Sequence, residues 1–166
     1  MKRYVYILLV VSLISGCATQ YKPIPDGYSG PTATIEDTKE REGDYKARFF
    51  VLTEIDGHQI ENGINKARSA SSGMGFRLEG GYVIRQVPAS PMKVRLIGTH
   101  VTGAPIHEMF SRVKGTFYHV EGEVEFTPAP GGEYVVKGEL KENGSSVWLE
   151  DIKTHQAVTE KIMEGK

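Results

Sequence analysis

The sequence contains only one cysteine, Cys17, and this scarcity excludes an intramolecular disulfide and a cysteine-based zinc site. It has no excess of positive charge, since the formal net charge is −1, and this excludes the strongly basic class of nucleic-acid binders. Its N-terminal apolar run, residues 4–14, is shorter than the roughly 20 residues that a membrane-spanning helix needs. Hydrophobic residues at 39% and charged residues at 25% are typical of a folded domain.

The short apolar run has the size of a signal-peptide core and follows a basic start. Residues 13–17 then read Leu-Ile-Ser-Gly-Cys. This string resembles the lipobox of bacterial lipoproteins, which places a branched apolar residue and two small residues before a cysteine. The resemblance implies a signal peptide over residues 1–16, cleavage between Gly16 and Cys17, and lipidation of Cys17 by palmitate-like acyl chains. It implies no other cofactor.

By the same resemblance, the protein is anchored in the bacterial cell envelope. Several acyl chains hold a protein on a membrane much more firmly than a single chain does. Ala18 stands where an aspartate tends to retain such proteins in the inner membrane, which favours the outer membrane. The alternative is an ordinary secretory signal with an incidental cysteine.

A tether is predicted between the lipid and the domain. Residues 17–31 comprise Cys17 and a stretch with three prolines and two glycines, a composition that disfavours regular structure. The alternative is that part of this segment packs along the domain through Tyr21 and Tyr28.

Residues 32–166 predict an all-β domain, an antiparallel β-sandwich of about seven or eight short strands with one short helix. Turn signals divide the strands at Asp56-Gly57, residues 128–132 and Asn143-Gly144. The helix is predicted over residues 105–114, where apolar residues recur at i, i+3, i+4 and i+7. Seven or eight strands at this spacing are typical of a sandwich.

Residues 118–126 alternate apolar and polar side chains, the period of a strand with one dry face. Residues 134–140 continue the pattern after a turn, which predicts a hairpin that pairs Phe126 with Tyr134 and Glu123 with Lys137.

Residues 157–162 predict a last strand. Two segments are not expected to contribute regular elements to the core. Residues 37–44 are interpreted as a solvated charged loop, and residues 60–81 are interpreted as irregular with a short strand at 75–78.

Three strings carry a further resemblance: Gly27-Tyr28-Ser29-Gly30-Pro31-Thr32, Gly122-Glu123-Val124-Glu125-Phe126 and Val147-Trp148-Leu149-Glu150-Asp151. By these strings, the body is similar to small uncharacterised envelope lipoproteins of immunoglobulin-like or transthyretin-like build. This resemblance implies no known activity.

The motifs of common enzymes are incomplete. His107-Glu108 opens like a zinc-protease motif, but Ser111 replaces the second histidine. Two weaker catalytic hypotheses stay open: a metal bound by His100, His107 and His119, and glycoside cleavage by paired carboxylates drawn from residues 121, 123 and 125.

Charge is distributed unevenly along the chain. Residues 66–95 carry six basic side chains and one acidic one, whereas residues 116–151 carry eight acidic and two basic ones. One hypothesis is an anion-binding patch, formed by Arg68, Arg77, Arg85, Lys93 and Arg95. The other is that the two segments lie on adjoining strands and neutralise each other.

The function predicted from these features is a lipid-anchored, non-catalytic interaction or structural module of unknown specific activity. The alternatives are a carbohydrate- or lipopolysaccharide-binding domain and an envelope hydrolase that uses glutamate or histidine. The expected partners are the membrane, through the lipid, and an envelope protein or polysaccharide, with no nucleic acid.

Overall fold

The computed structural model describes residues 21–73 and 77–164. Within them the chain forms two β-sheets and two short helices, which confirms the predicted all-β sandwich. The predicted signal peptide, its cleavage point and Cys17 lie outside the described residues. Among the residues that are described, no helix is long and apolar enough to cross a membrane.

Ten strands lie in the described part of the chain. They are β1 (Thr32–Glu36), β2 (Thr38–Arg41), β3 (Lys46–Ile55), β4 (His58–Gln59), β5 (Ile84–Pro88), β6 (Met92–Thr102), β7 (His119–Phe126), β8 (Glu133–Glu139), β9 (Ser146–Asp151) and β10 (Ile162–Met163). Sheet A has the order β10-β9-β8-β1-β5, and sheet B has the order β2-β3-β6-β7 with β4 paired to β3. Strands β1 and β8 run parallel, whereas the remaining pairs are antiparallel.

The facing sides of the two sheets enclose the main core. Phe50, Leu52 and Leu96 from sheet B meet Ile35 and Val136 from sheet A, and all five are fully buried. A smaller apolar cluster lies on the other side of sheet B, where Phe49 and Val51 contact a helix. Sheet B is therefore buried on both faces over part of its area.

That helix, α1 (Gly63–Ser71), corrects the expectation that residues 60–81 are irregular. Asn62 caps it, because its side-chain oxygen accepts hydrogen bonds from the N–H groups of Ile64 and Asn65 at 3.1 Å. Its buried face consists of Gly63, Ile64, Ala67 and Ser71. The helical period is hard to see in the sequence because two of these four are glycine and serine. Of the predicted strand at 75–78, residues 77–78 are not in a strand, and residues 75–76 lie outside the described residues.

The helix predicted over residues 105–114 is confirmed as α2 (Pro105–Val113). The hairpin turn at Asp56-Gly57 is also confirmed, with positive φ angles of 50° and 77° between β3 and β4. The last predicted strand is much shorter than expected: Ala157 forms an isolated bridge with Glu150, and β10 covers two residues.

The predicted hairpin over residues 118–140 is wrong. Strand β7 pairs with β6 in sheet B, whereas β8 pairs with β1 and β9 in sheet A. The connecting residues 127–132 cross from one sheet to the other, so Phe126 and Tyr134 meet through their rings, edge to face at 4.9 Å, rather than as ladder partners. The predicted buried faces of β7 and β8 are nevertheless right. The alternation of apolar and polar side chains shows which face of a strand is buried, but not which strand lies beside it.

Two core glycines make room for one large ring. An added Cβ atom at Gly138 would lie 2.4 Å from Phe50 Cδ1, and one at Gly98 would lie 3.0 Å from the same atom. Since Gly98 belongs to β6 and Gly138 to β8, the ring of Phe50 fills space that both sheets leave open.

Gly138→Ala should therefore lower the free energy of unfolding by about 1–3 kcal/mol, the usual cost of overpacking a core. Urea denaturation measures it. The matched control is Lys137→Ala, which truncates the neighbouring, half-buried side chain and should change stability much less. Equal stability of Gly138→Ala and the wild type would contradict this packing.

A buried ion pair lies where the chain passes from sheet A to sheet B. Residues 37–44 are not the predicted solvated loop, because Asp37 is fully buried and β2 follows it. The two Asp37 carboxylate oxygens accept hydrogen bonds from Arg85 Nη1 at 2.9 Å and Nη2 at 2.7 Å. They also accept from the N–H groups of Leu52 at 3.0 Å and Gly63 at 2.8 Å.

One carboxylate thus joins β5, β3 and the first residue of α1 to the end of β1. Burial of this carboxylate is tolerated because it is paired with a cation and accepts four hydrogen bonds. Leu52 lies at the point where the β3–β6 register shifts.

Arg85→Met should destabilise the protein by about 3–5 kcal/mol, because it leaves the Asp37 carboxylate buried without its counter-charge. The control is Arg77→Met, which removes an exposed arginine 3.4 Å from Glu79 and should leave the urea midpoint close to that of the wild type. Equal midpoints for the two variants would contradict the importance of the buried pair.

Candidate functional site

The five basic residues predicted as an anion-binding patch do not lie together. Arg85 is buried against Asp37. Arg77 lies beside Glu79 in a loop, and Arg68 lies on α1. Only Lys93 and Arg95 are near neighbours, two residues apart on β6.

Lys93 and Arg95 both bind the acidic strand beside them. Arg95 pairs in register with Glu123 and donates a hydrogen bond to its carboxylate at 2.7 Å, while its Nε donates to Glu54 at 3.2 Å. Lys93 forms an ion pair with the same Glu123. On β6 and β7, therefore, two basic side chains of the first segment are paired with one carboxylate of the acidic segment, Glu123.

These contacts bear on the hypothesis of paired catalytic carboxylates. The hydrogen bond from Lys93, and after it the one from Arg95, holds the pKa of Glu123 below its usual range. A general acid needs the opposite shift, since it must carry its proton near neutral pH. Glu121, two residues away, lies 3.4 Å from His119.

The three histidines predicted as a metal site occupy different surroundings. His100 is buried, and the ring of His107 stacks on Tyr45 at 4.6 Å. His119 lies near Glu121 on the exposed side of β7. Across residues 21–73 and 77–164, no group of three or more His, Cys, Asp or Glu side chains is placed to hold a metal ion.

His100 is the buried member of a polar cluster at one end of sheet B, whose other members are partly exposed. Its Nδ1 accepts a hydrogen bond from the N–H of Tyr118 at 3.0 Å, which leaves the proton on Nε2, 3.4 Å from Glu42. Lys46 at 3.3 Å and Arg48 at 3.1 Å contact the same Glu42 carboxylate. Burial, and then the positive charge of Lys46, lower the pKa of His100.

This lowered pKa predicts a pH dependence of stability. The unfolded chain binds a proton at His100 near the ordinary pKa of about 6.5, whereas the folded chain binds it only at lower pH. The stabilising contribution is therefore complete above that ordinary value and is lost as the pH falls below it. His100→Gln should reduce the loss of urea stability between pH 7.5 and 5, whereas His155→Gln, an exposed control, should reduce it less. Equal pH profiles for both variants would contradict the assignment.

One open groove lies on the outer side of sheet B, between α1 and α2. Its volume is about 330 Å³. Arg68 and Asn65 line it from α1, and Arg112 lines it from α2, where it binds Glu108 and lies 4.1 Å from the centre of the Phe117 ring. The sequence analysis singled out Arg68 but not Asn65, because α1 has no clear helical pattern, and it could not bring Arg112 beside them because α1 and α2 are far apart in sequence.

A second groove, which we call the N-terminal groove, lies beside the first described residues. Its volume is about 570 Å³, and it is lined by Tyr21, Lys22, Pro23, Ile24, Ile60, Glu61, Val83, Ile84, Arg85 and Gln86. Tyr21 stacks on His58, with ring centres 4.5 Å apart and planes at 16°. Residues 21–24, part of the predicted tether, thus lie against the domain, which is the arrangement that the alternative involving Tyr21 anticipated.

The chain matches no protein-family model, no curated protein and no solved structure at significant similarity.

Proposed function

We propose that this protein is a lipid-anchored, non-catalytic module of the bacterial cell envelope. The observation that carries the proposal is the string Leu-Ile-Ser-Gly-Cys at residues 13–17, after a short apolar run with a basic start. The order of these residues and their distance from the N-terminus are those of a lipoprotein signal, which directs cleavage before Cys17 and acylation of that cysteine.

The surroundings of the titratable side chains support a non-catalytic role. Glu123, the central carboxylate of the acidic strand, is bound by two cations that keep it ionised. The buried His100 has both ring nitrogens engaged by hydrogen-bonding partners. These groups contribute to folding and surface charge balance, and neither has the raised carboxyl pKa or the free ring nitrogen that acid–base catalysis uses.

The lipid defines how such a module works. Acyl chains on Cys17 confine the domain to a layer next to one membrane, which raises its effective concentration for any partner in the same layer. A weak contact between this domain and the envelope then becomes sufficient for function.

Cys17→Ser should move the protein from the membrane fraction to the soluble fraction, because it removes the thiol that receives the lipid. Fractionation with immunoblotting, together with metabolic labelling by a palmitate analogue, measures both effects. The control is Ser12→Ala, which alters the same leader and keeps residues 13–17 intact. Unchanged membrane association and unchanged labelling of Cys17→Ser would contradict the proposal.

A further inference from the structure

The described chain begins very close to the proposed anchor. Only four peptide units separate Cys17 from Tyr21, and four units span at most about 14 Å when fully extended. The ring of Tyr21 is stacked on His58 and so is fixed to the domain. Lipid on Cys17, which the proposed function supplies, therefore keeps this part of the domain close to the bilayer.

Two large apolar side chains at or beside the N-terminal groove are mostly exposed. Ile84 at the start of β5 is 63% exposed, and Tyr82 is 67% exposed. Ile84 lines the N-terminal groove together with Ile24 and Pro23. Because these two side chains adjoin a groove rather than standing alone, we take this region as the candidate interaction surface.

The chemistry of this surface fits a phospholipid headgroup layer. Tyrosine is favoured at the membrane interface, where its ring is buried and its hydroxyl stays hydrated. Lys22 and Lys66 border the surface, and each has an exposed acidic neighbour, Asp26 at 3.7 Å and Glu61 at 3.5 Å. Such exposed pairs are weak, so the two lysines can turn to lipid phosphates at little cost.

We propose that the edge of sheet A at β5 lies against the phospholipid surface that holds the anchor, with Tyr82 and Ile84 at headgroup depth. The inference rests on the proposed lipidation of Cys17. Two side chains alone bind a bilayer too weakly to retain the protein, but the anchor makes their contact intramolecular. The domain therefore has a fixed orientation, with a membrane side at β5 and the opposite edge of sheet A, at β10, away from the lipid.

The natural control for this orientation is Met163 in β10, which is 58% exposed. Strands β5 and β10 are at opposite edges of sheet A, with three strands between them. At the usual spacing of strands, these edges lie about 19 Å apart. Probes at the two edges therefore distinguish a domain that contacts the bilayer at β5 from a domain that is only tethered and has no fixed orientation.

The experiment uses the full lipidated protein in vesicles of phosphatidylethanolamine and phosphatidylglycerol. Because acylation consumes the Cys17 thiol, Ile84→Cys and Met163→Cys each provide a single thiol for a fluorescent label. A nitroxide on the lipid headgroup then quenches a label that touches the bilayer. We expect quenching at position 84 to exceed that at position 163 by roughly twofold or more, since about 19 Å separates the two edges.

Equal quenching at the two positions, or stronger quenching at position 163, would overturn the orientation. A thiol at position 84 that is protected from labelling in intact cells, but whose label is not quenched in vesicles, would also overturn the proposed orientation. A protein rather than lipid would then cover this surface. Failure of the proposed anchor gives a different result: the protein would carry no acyl chain by mass spectrometry and would not enter the vesicles at all.

Discussion

The salt bridge between Asp37 and Arg85 is the contact on which the arrangement of this domain depends. It lies at the residue where the chain leaves sheet A for sheet B, and both side chains are almost completely buried. Through four hydrogen bonds to Asp37, the end of β1 is joined to β5, to Leu52 of β3 and to the start of α1. A buried charge pair of this kind adds little net stability when intact, but loss of one partner is severely destabilising. The hydrogen bond that Asp37 accepts from the Leu52 N–H also links this pair, at the end of sheet A, to sheet B.

The same contact shapes the surface that we assign to the membrane. Arg85 points inward to reach Asp37, so its neighbour Ile84 on β5 must point outward, because side chains alternate along a strand. Arg85 Nη2 also donates to the carbonyl oxygen of Glu61 at 3.3 Å, which positions one wall of the N-terminal groove. The exposure of Ile84 is thus a consequence of how the core is held together.

Local patterns predicted the fold class, the helix α2 and the dry faces of β7 and β8, because alternation and turn residues act within a few positions. They did not predict that β7 and β8 belong to different sheets, since that depends on contacts distant in sequence. The prediction that Asp37 lies in a solvated loop was wrong for the same reason. Asp37 is the first residue of a charged stretch, and its partner Arg85 lies 48 positions further along the chain. The anchor is a contiguous string and could be proposed from sequence alone, whereas the N-terminal groove required the folded chain.

Amide hydrogen exchange at Leu52 and Gly63 tests this account most directly, because both N–H groups donate to the Asp37 carboxylate. If the buried pair holds the two sheets and α1 together, both amides should exchange only through global unfolding, as slowly as Leu96 and Val136 in the core. Fast exchange at Leu52 and Gly63, with the core amides still protected, would show that the pair opens locally and would contradict its central role.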